Sequence, residues 1–333
     1  MASHLGQVCT ASNGGISCSK RLVVSGSDLK LTLIESYFGW LYKRIQPESL
    51  GLRPSWPEAE KDILAAEERS SPGRFLGFYT IDGIRRALEH YGIFEQLARR
   101  GFERVSLELK RHEQGFDILR LFAEGVDEPL AELVAEVGPL SWEAQRICPA
   151  AGSRFLHIRW LCLQDPRPAV KEERPLLPGQ RHPGLGLGRE ILVLLQMICA
   201  RLNLDGLAAL PERLHNAIMY FKRFYFLDPA LQGVLTAILR DTRRNTLLEL
   251  AWGVEAGVLY DAASGKPFRW LPQYQVLARR GPVQDFILSA AYQNRAREVM
   301  ERVRFFLSTG DLALEEVMQK SLAESPPWPT RIK

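Results

Sequence analysis

Apolar residues Leu29, Leu31, Leu33, Ile34, Phe38, Leu41 and Ile45 follow Asp28 at mostly helical spacing, and Pro47 closes the run. That pattern predicts a first helix, with Asp28 as its N-cap. A second helix is expected over 57–68, and Ser70, Ser71, Pro72 and Gly73 mark a boundary after it. Thr80 then reads as the N-cap of a helix carrying Ile84, Ala87, Leu88 and Tyr91, and a shorter helix through Phe94 and Leu97 ends at Gly101.

The period changes to two at Val105, Leu107 and Leu109, and Ile118, Leu119, Leu121 and Phe122 supply an answering strand across a turn at Gln114 and Gly115. Residues 130–137 read as a short helix, 141–152 as an irregular link, and 155–163 as a central strand. Residues 167–179 carry Pro168, Pro175 and Pro178 among charges and read as loop. Four glycine or proline positions, Pro183, Gly184, Gly186 and Gly188, lead directly into a helix with Ile191, Leu194, Leu195, Ile198 and Leu202 on one face.

A strand at 206–210, a helix over 212–223 and a short aromatic strand at 224–227 complete an α/β alternation. Beyond Asp228 the pattern predicts a helix near 231–239, a strand over 247–254 and a hairpin around 262–265 flanked by Leu259 and Trp270. A helix over 283–307 follows, and Pro326, Pro327 and Pro329 end the fold in a tail. The fold class expected is α/β, a mixed central sheet flanked by helices, with helical additions at both ends.

Composition narrows the class. With 333 residues and 46% apolar content the chain can bury a large core. The 43 Lys and Arg nearly balance 39 Asp and Glu, and the short clusters at Arg99-Arg100, Arg243-Arg244 and Arg279-Arg280 read as solvated helix ends, so no nucleic-acid partner is expected. The five cysteines lack the close spacing of a zinc site or a disulfide framework, which suits a reducing, cytoplasmic setting without a bound metal. Residues 191–200 form the longest strongly apolar stretch, about half of the roughly 20 residues a membrane helix needs, so no membrane partner is expected. Residues 1–27 have neither a basic nor an apolar signal region and read as a disordered leader.

The glycine turn carries the chemistry. Glycines at every second position let a backbone approach a ligand, its N–H groups can converge on an anion, and a helix N-terminus adds partial positive charge. A Walker loop would need Lys and Ser or Thr after the last glycine, where Arg189 and Glu190 stand. A dinucleotide fingerprint would need glycine at 189 and a strand directly before the first glycine, and the loop from Pro166 separates the two. A flexible loop that merely enters a helix is the bland alternative.

Arg181-His182-Pro183-Gly184-Leu185-Gly186, extended by Leu187-Gly188-Arg189, reads R-x-x-G-x-G. This resembles the acetyl-CoA loop of the GNAT superfamily of N-acetyltransferases, whose backbone amides hold the coenzyme A pyrophosphate. The resemblance spans roughly residues 75–227, and Ala217-Ile218-Met219-Tyr220-Phe221-Lys222-Arg223-Phe224-Tyr225-Phe226 looks like the family's A-I-x-L-Y-x-K-x-G-F segment. Phe221 stands where the family often has the Tyr that protonates the departing thiolate, and Tyr225 replaces the usual Gly.

The resemblance implies an acyl-CoA cosubstrate, acetyl-CoA or another, bound by Arg181, His182, Gly184, Gly186, Leu187, Gly188 and Arg189, with Asn216 and His215 at the start of a later helix facing it. It divides the chain into a leader at 1–27, a helical segment at 28–72, a GNAT-like α/β domain at 73–280, and a helical segment with tail at 281–333. Acyl transfer to an amine needs a base, an oxyanion partner and an acid for the sulfur. His157 and Asp165 are the candidate bases and Tyr220 the candidate acid, each with packing or local hydrogen bonding as its plainer role. The expected activity is N-acyl transfer to a small-molecule or protein amine. The rivals are a GNAT-like binding or scaffold module without chemistry, and a different nucleotide-binding protein.

Overall fold

A computed structural model describes residues 26–51, 73–167 and 176–308, with side chains from residue 32 in the first helix. Most of the expected leader, the helix over 57–68, the boundary serines with Pro72, most of the proline loop and the tail prolines lie outside the described residues.

The chain opens with α1 (Gly26–Tyr42) and a 3-10 turn (Pro47–Leu50). The ribbon β1 (Arg74–Phe75) and β2 (Tyr79–Thr80) follows, then α2 (Ile81–His90) and α3 (Ile93–Ala98). Thr80 caps α2 as its sequence predicts, accepting from the Gly83 N–H at 3.1 Å. Next come β3 (Val105–Arg111), β4 (Asp117–Ala123), β5 (Ala131–Gly138), α4 (Trp142–Ile147) and β6 (Phe155–Leu163). After the glycine turn the chain forms α5 (Gly188–Arg201), β7 (Gly206–Ala209), α6 (Leu214–Tyr220) and β8 (Tyr225–Phe226). Its last part contains α7 (Pro229–Asp241), α8 (Leu247–Glu255), β9 (Leu259–Asp261), β10 (Gln275–Ala278), α9 (Gly281–Leu288), α10 (Ala290–Arg302) and β11 (Phe305–Leu307).

Seven strands form one mixed sheet in the order β3-β4-β5-β6-β7-β10-β8. Every neighbouring pair is antiparallel except β6 and β7, which are parallel. Helices cover both faces, so the central strands are apolar on both sides. Leu156, Ile158, Leu207 and Ala209 face a core built with α1, α2, α3 and α5, while Phe155 and Ala208 face the second core with α4, α9 and α10. Phe155, Leu156 and Leu207 are fully buried, each worth roughly 1.5–3 kcal/mol of transfer free energy for a side chain of that size. The N-terminal helix belongs to the first core: Phe38 packs on Tyr91 at 4.8 Å between ring centres, and Leu41 is buried beside them.

Four expectations change. Residues 130–137 form strand β5, not a helix: Leu130, Leu133, Val134 and Val137 mimic a helical face, but the backbone gains a complete ladder between β4 and β6. Residues 247–254 form helix α8, not a strand, because Thr246 and Glu249 close a reciprocal capping box at its start. The helix expected over 283–307 is broken: Ser289 ends α9 and caps α10, and the chain leaves α10 at Val303 so that β11 can pair with β9. The link at 141–152 contains α4, capped by the Ser141 hydroxyl.

Candidate functional site

The glycine turn is stitched to the end of β6. Gln164 and Gly184 form a bridge, the Asp165 N–H donates to the Pro183 carbonyl at 2.8 Å, and the Leu185 N–H donates to the Leu163 carbonyl at 3.2 Å. Extended backbone alternates its side chains, so Pro183, Leu185 and Leu187 point into the core while Gly184 and Gly186 stay exposed. Gly186 has φ +71, a left-handed conformation that a residue with a Cβ adopts only at a cost.

Helix α5 starts at Gly188 with Leu187 as N-cap, a residue that offers no capping oxygen. The consequence is a run of bare donors: among the described residues no acceptor meets the N–H groups of Gly186, Leu187, Gly188, Arg189 or Glu190. These lie at the N-terminus of a 14-residue helix, where its dipole is positive. Arg189 is exposed in the first turn and pairs with no carboxylate among the described residues. Together the donors suit an anion that carries several acceptor oxygens.

The sheet places this turn beside the far end of β6. β7 pairs with β6 only from Phe155↔Gly206 to Ile158↔Ala209, while β6 runs on to Leu163. On the other side of β6, Val134 pairs with Trp160 and Ala135 with Ile158, so Arg159 is an extra residue. Such a bulge bends its strand. Because β7 ends at Ala209, β6 runs on beyond it, and the next bond to that edge is the one from Leu185 to Leu163. Because β6 and β7 are parallel, the turn, Asp165 and the first residues of α6 all lie at the carboxyl ends of these strands, the usual ligand side of an α/β sheet.

Other predicted residues have partners of their own. Arg181 and His182 both face Glu128, at 3.7 Å and 3.1 Å, from the loop before β5. That carboxylate was not legible as a partner, 54 residues away in the chain. Asp165 is clamped by Arg167, with contacts of 2.9 and 2.6 Å to its two oxygens, and also accepts the Arg167 backbone N–H at 3.2 Å. His157 is buried, its Nε2 donating to the carbonyls of Pro139 at 2.9 Å and Gly138 at 3.3 Å. Burial lowers its pKa, against a raising effect of Glu136, so the imidazole is neutral with its lone pair on Nδ1.

Tyr220 ends α6 and packs on Phe224 at 5.0 Å between ring centres. Burial pushes its hydroxyl up to about 12, so it stays protonated at neutral pH. Its neighbour by one turn, Asn216, is half-buried at the start of α6. His215 beside it is buried, and burial, aided by Arg213, pushes its pKa down to about 4. Two cavities lie elsewhere: one of about 480 Å³ lined by Arg240, Asp241, Arg243 and Arg244, and one of about 110 Å³ beneath α5. The turn glycines line neither, and Gly184 and Gly186 are exposed.

Among the described residues no helix is long and apolar enough to cross a membrane. No protein-family model matches this chain, and no curated protein is significantly similar to it in sequence.

Proposed function

We propose that this chain is a GNAT-like, acyl-CoA-dependent N-acyltransferase that moves an acetyl or other acyl group to an amine on a small molecule or a protein. The observation that carries the reading is the run of bare N–H groups from Gly186 to Glu190, set just after a central strand that runs on past the end of its parallel neighbour. A pyrophosphate offers the oxygens those donors lack. Further support comes from element order: two helices, three antiparallel strands, a short helix, a central strand, the glycine turn with its helix, then strand, helix and strand.

When bound, a coenzyme thioester supplies an activated acyl carbon. Gly186, Leu187, Gly188 and Arg189 would hold its pyrophosphate, and the edge of β6 beyond Ile158 would receive the chain that follows. Tyr220, protonated at neutral pH, is the residue that would donate a proton to sulfur. His157 can accept a proton only at Nδ1, since Nε2 is committed to carbonyls.

Calorimetric titration with CoA and acetyl-CoA tests this reading, and Gly188→Ala sharpens it. A Cβ at 188 meets nothing within 4 Å, and alanine favours helices by up to about 1 kcal/mol, so the fold should hold or gain. The same methyl intrudes on the approach of a phosphate, and CoA should bind about 10-fold more weakly or worse, a loss of about 1.4 kcal/mol. An absence of wild-type binding at millimolar CoA rejects the proposal. Protection from thermal unfolding by ATP or NAD but not by CoA would favour a different nucleotide-binding protein.

A second reading, a GNAT-like module that binds without turnover, is favoured by Phe221, Tyr225 and the occupied carboxylate of Asp165. CoA binding without product across an amine panel would select it, whereas transfer lost in Tyr220→Phe would select the enzyme.

A further inference from the structure

Helix α1 buries one face and leaves the other in solvent. Ile34, Phe38, Leu41 and Ile45 pack into the first core, and two contacts fix the helix there: Arg201 donates to the Tyr42 and Ile45 carbonyls at 3.0 Å each, and Arg223 pairs with Glu35. The outer face of such a helix is ordinarily polar. Here it carries Leu33, Tyr37 and Trp40, which are 67%, 55% and 48% exposed.

Intervals of four and three residues set these side chains in one row along the helix, and the Tyr37 and Trp40 rings stack with centres 6.3 Å apart. Single exposed apolar residues are ordinary; a continuous row of them marks an interaction surface. The charges at its end have one sign. Arg44 lies over the Trp40 ring with its Cζ 3.6 Å from the ring centre, Lys43 is exposed beside it, and neither cation pairs with a carboxylate among the described residues. Glu35 is taken by Arg223, and Glu48 lies in the 3-10 turn beyond the row.

Whatever covers this face must accept apolar rings and supply negative charge. A second copy of the row would bring the same cations and no acid to meet them. Three large side chains at about half exposure also offer on the order of 400 Å², short of the about 800 Å² that each partner buries in a stable protein interface. A bilayer surface sets no such threshold: Trp and Tyr rings settle at the headgroup level, basic side chains meet anionic lipid, and a helix lying there needs one apolar face rather than the length of a span.

We propose that α1 docks the protein on an anionic phospholipid surface, with Leu33, Tyr37 and Trp40 entering the headgroup region and Lys43 and Arg44 meeting the lipid charge. Docking is independent of the glycine turn, so it holds whether or not the coenzyme reading does.

Flotation of the full chain with mixed phosphatidylserine and phosphatidylcholine vesicles, against phosphatidylcholine alone, is the test. The mixed vesicles should bind at least about 10-fold more tightly, and added salt should weaken that binding. Leu33→Ser and Trp40→Ser should each weaken it about 5-fold or more, and Lys43→Glu combined with Arg44→Glu should reduce it to the level of the neutral vesicles. Leu33 is the most exposed residue of the row, so Leu33→Ser should leave the melting temperature unchanged, which keeps the test valid if Trp40→Ser folds poorly. The proposal is overturned if the protein does not float with the mixed vesicles, if it floats equally with neutral ones, if the row variants bind as the wild type does, or if sedimentation equilibrium shows a dimer that Leu33→Ser dissociates.

Discussion

Gly206→Ala is expected to lower stability by about 3 kcal/mol or more, read as a fall in the urea midpoint. A Cβ at this position would lie 2.1 Å from the Leu277 carbonyl oxygen and 3.0 Å from the Ala278 Cα, both backbone atoms. Neither side can yield easily. Gly206 is paired with Phe155 on β6 and with Ala278 on β10, and flanking bonds from Asp205 to Arg154 and from Arg279 to Asp205 hold the same three strands together at 2.7–2.8 Å. The methyl must therefore push β10 off β7, inside the sheet. Gly138→Ala is the control: it lies at the end of β5 with nothing within 4 Å of a Cβ, and should change stability by no more than about 0.5 kcal/mol. A similar small effect for both variants would mean that β10 is not held where the structure has it.

The chain should also lose stability on acidification between about pH 6.5 and pH 4, by roughly 3 kcal/mol from His215 alone. His215 is 3% exposed, and burial, with Arg213 as the lesser cause, lowers its pKa from 6.5 to about 4. The sign follows from proton counting. The unfolded imidazole binds a proton below its ordinary pKa while the folded one does not, so the unfolded state gains protons first and stability falls as pH drops through this window. It is fully present above pH 6.5. His157, lowered by burial, acts in the same direction. Asp117, whose carboxyl burial raises, opposes the trend because its folded form holds a proton more readily. Denaturant titrations at a series of pH values should show the loss, and His215→Gln should flatten the window. An unchanged pH profile in that variant would remove His215 as its source.

Local rules were enough wherever a short stretch decided its own structure. The Thr80 cap, the central strand Phe155–Leu163 and the strand at Gly206 follow from capping chemistry and period, and the structure has them. So does the glycine turn into α5, since alternation of small and apolar residues can be read directly. Ambiguity entered where one pattern served two structures. The apolar spacing of 130–137 fits a helix face as well as a strand buried on both sides, and only β4 and β6 on either side decide for the strand. For 247–254 the deciding signal, Thr246 three residues before Glu249, was present but outweighed by an apolar run.

At the candidate site the same division holds. Which residues carry polar chemistry could be named in advance; what each one faces could not. Asp165 clamped to Arg167, His157 committed to the Pro139 carbonyl, and Arg181 drawn with His182 to Glu128 are contacts that the folded chain chooses among many possible partners.

By itself the amino-acid order determined an α/β chain with a glycine-rich entry to its central helix, because backbone freedom, capping and periodicity act over a few residues. Tertiary structure alone decided that β6 runs on past the end of β7, that Leu185 bonds to Leu163 there, and that five N–H groups of the turn meet no acceptor among the described residues. Those outcomes depend on strand pairing and burial between segments distant in sequence, where no local preference acts.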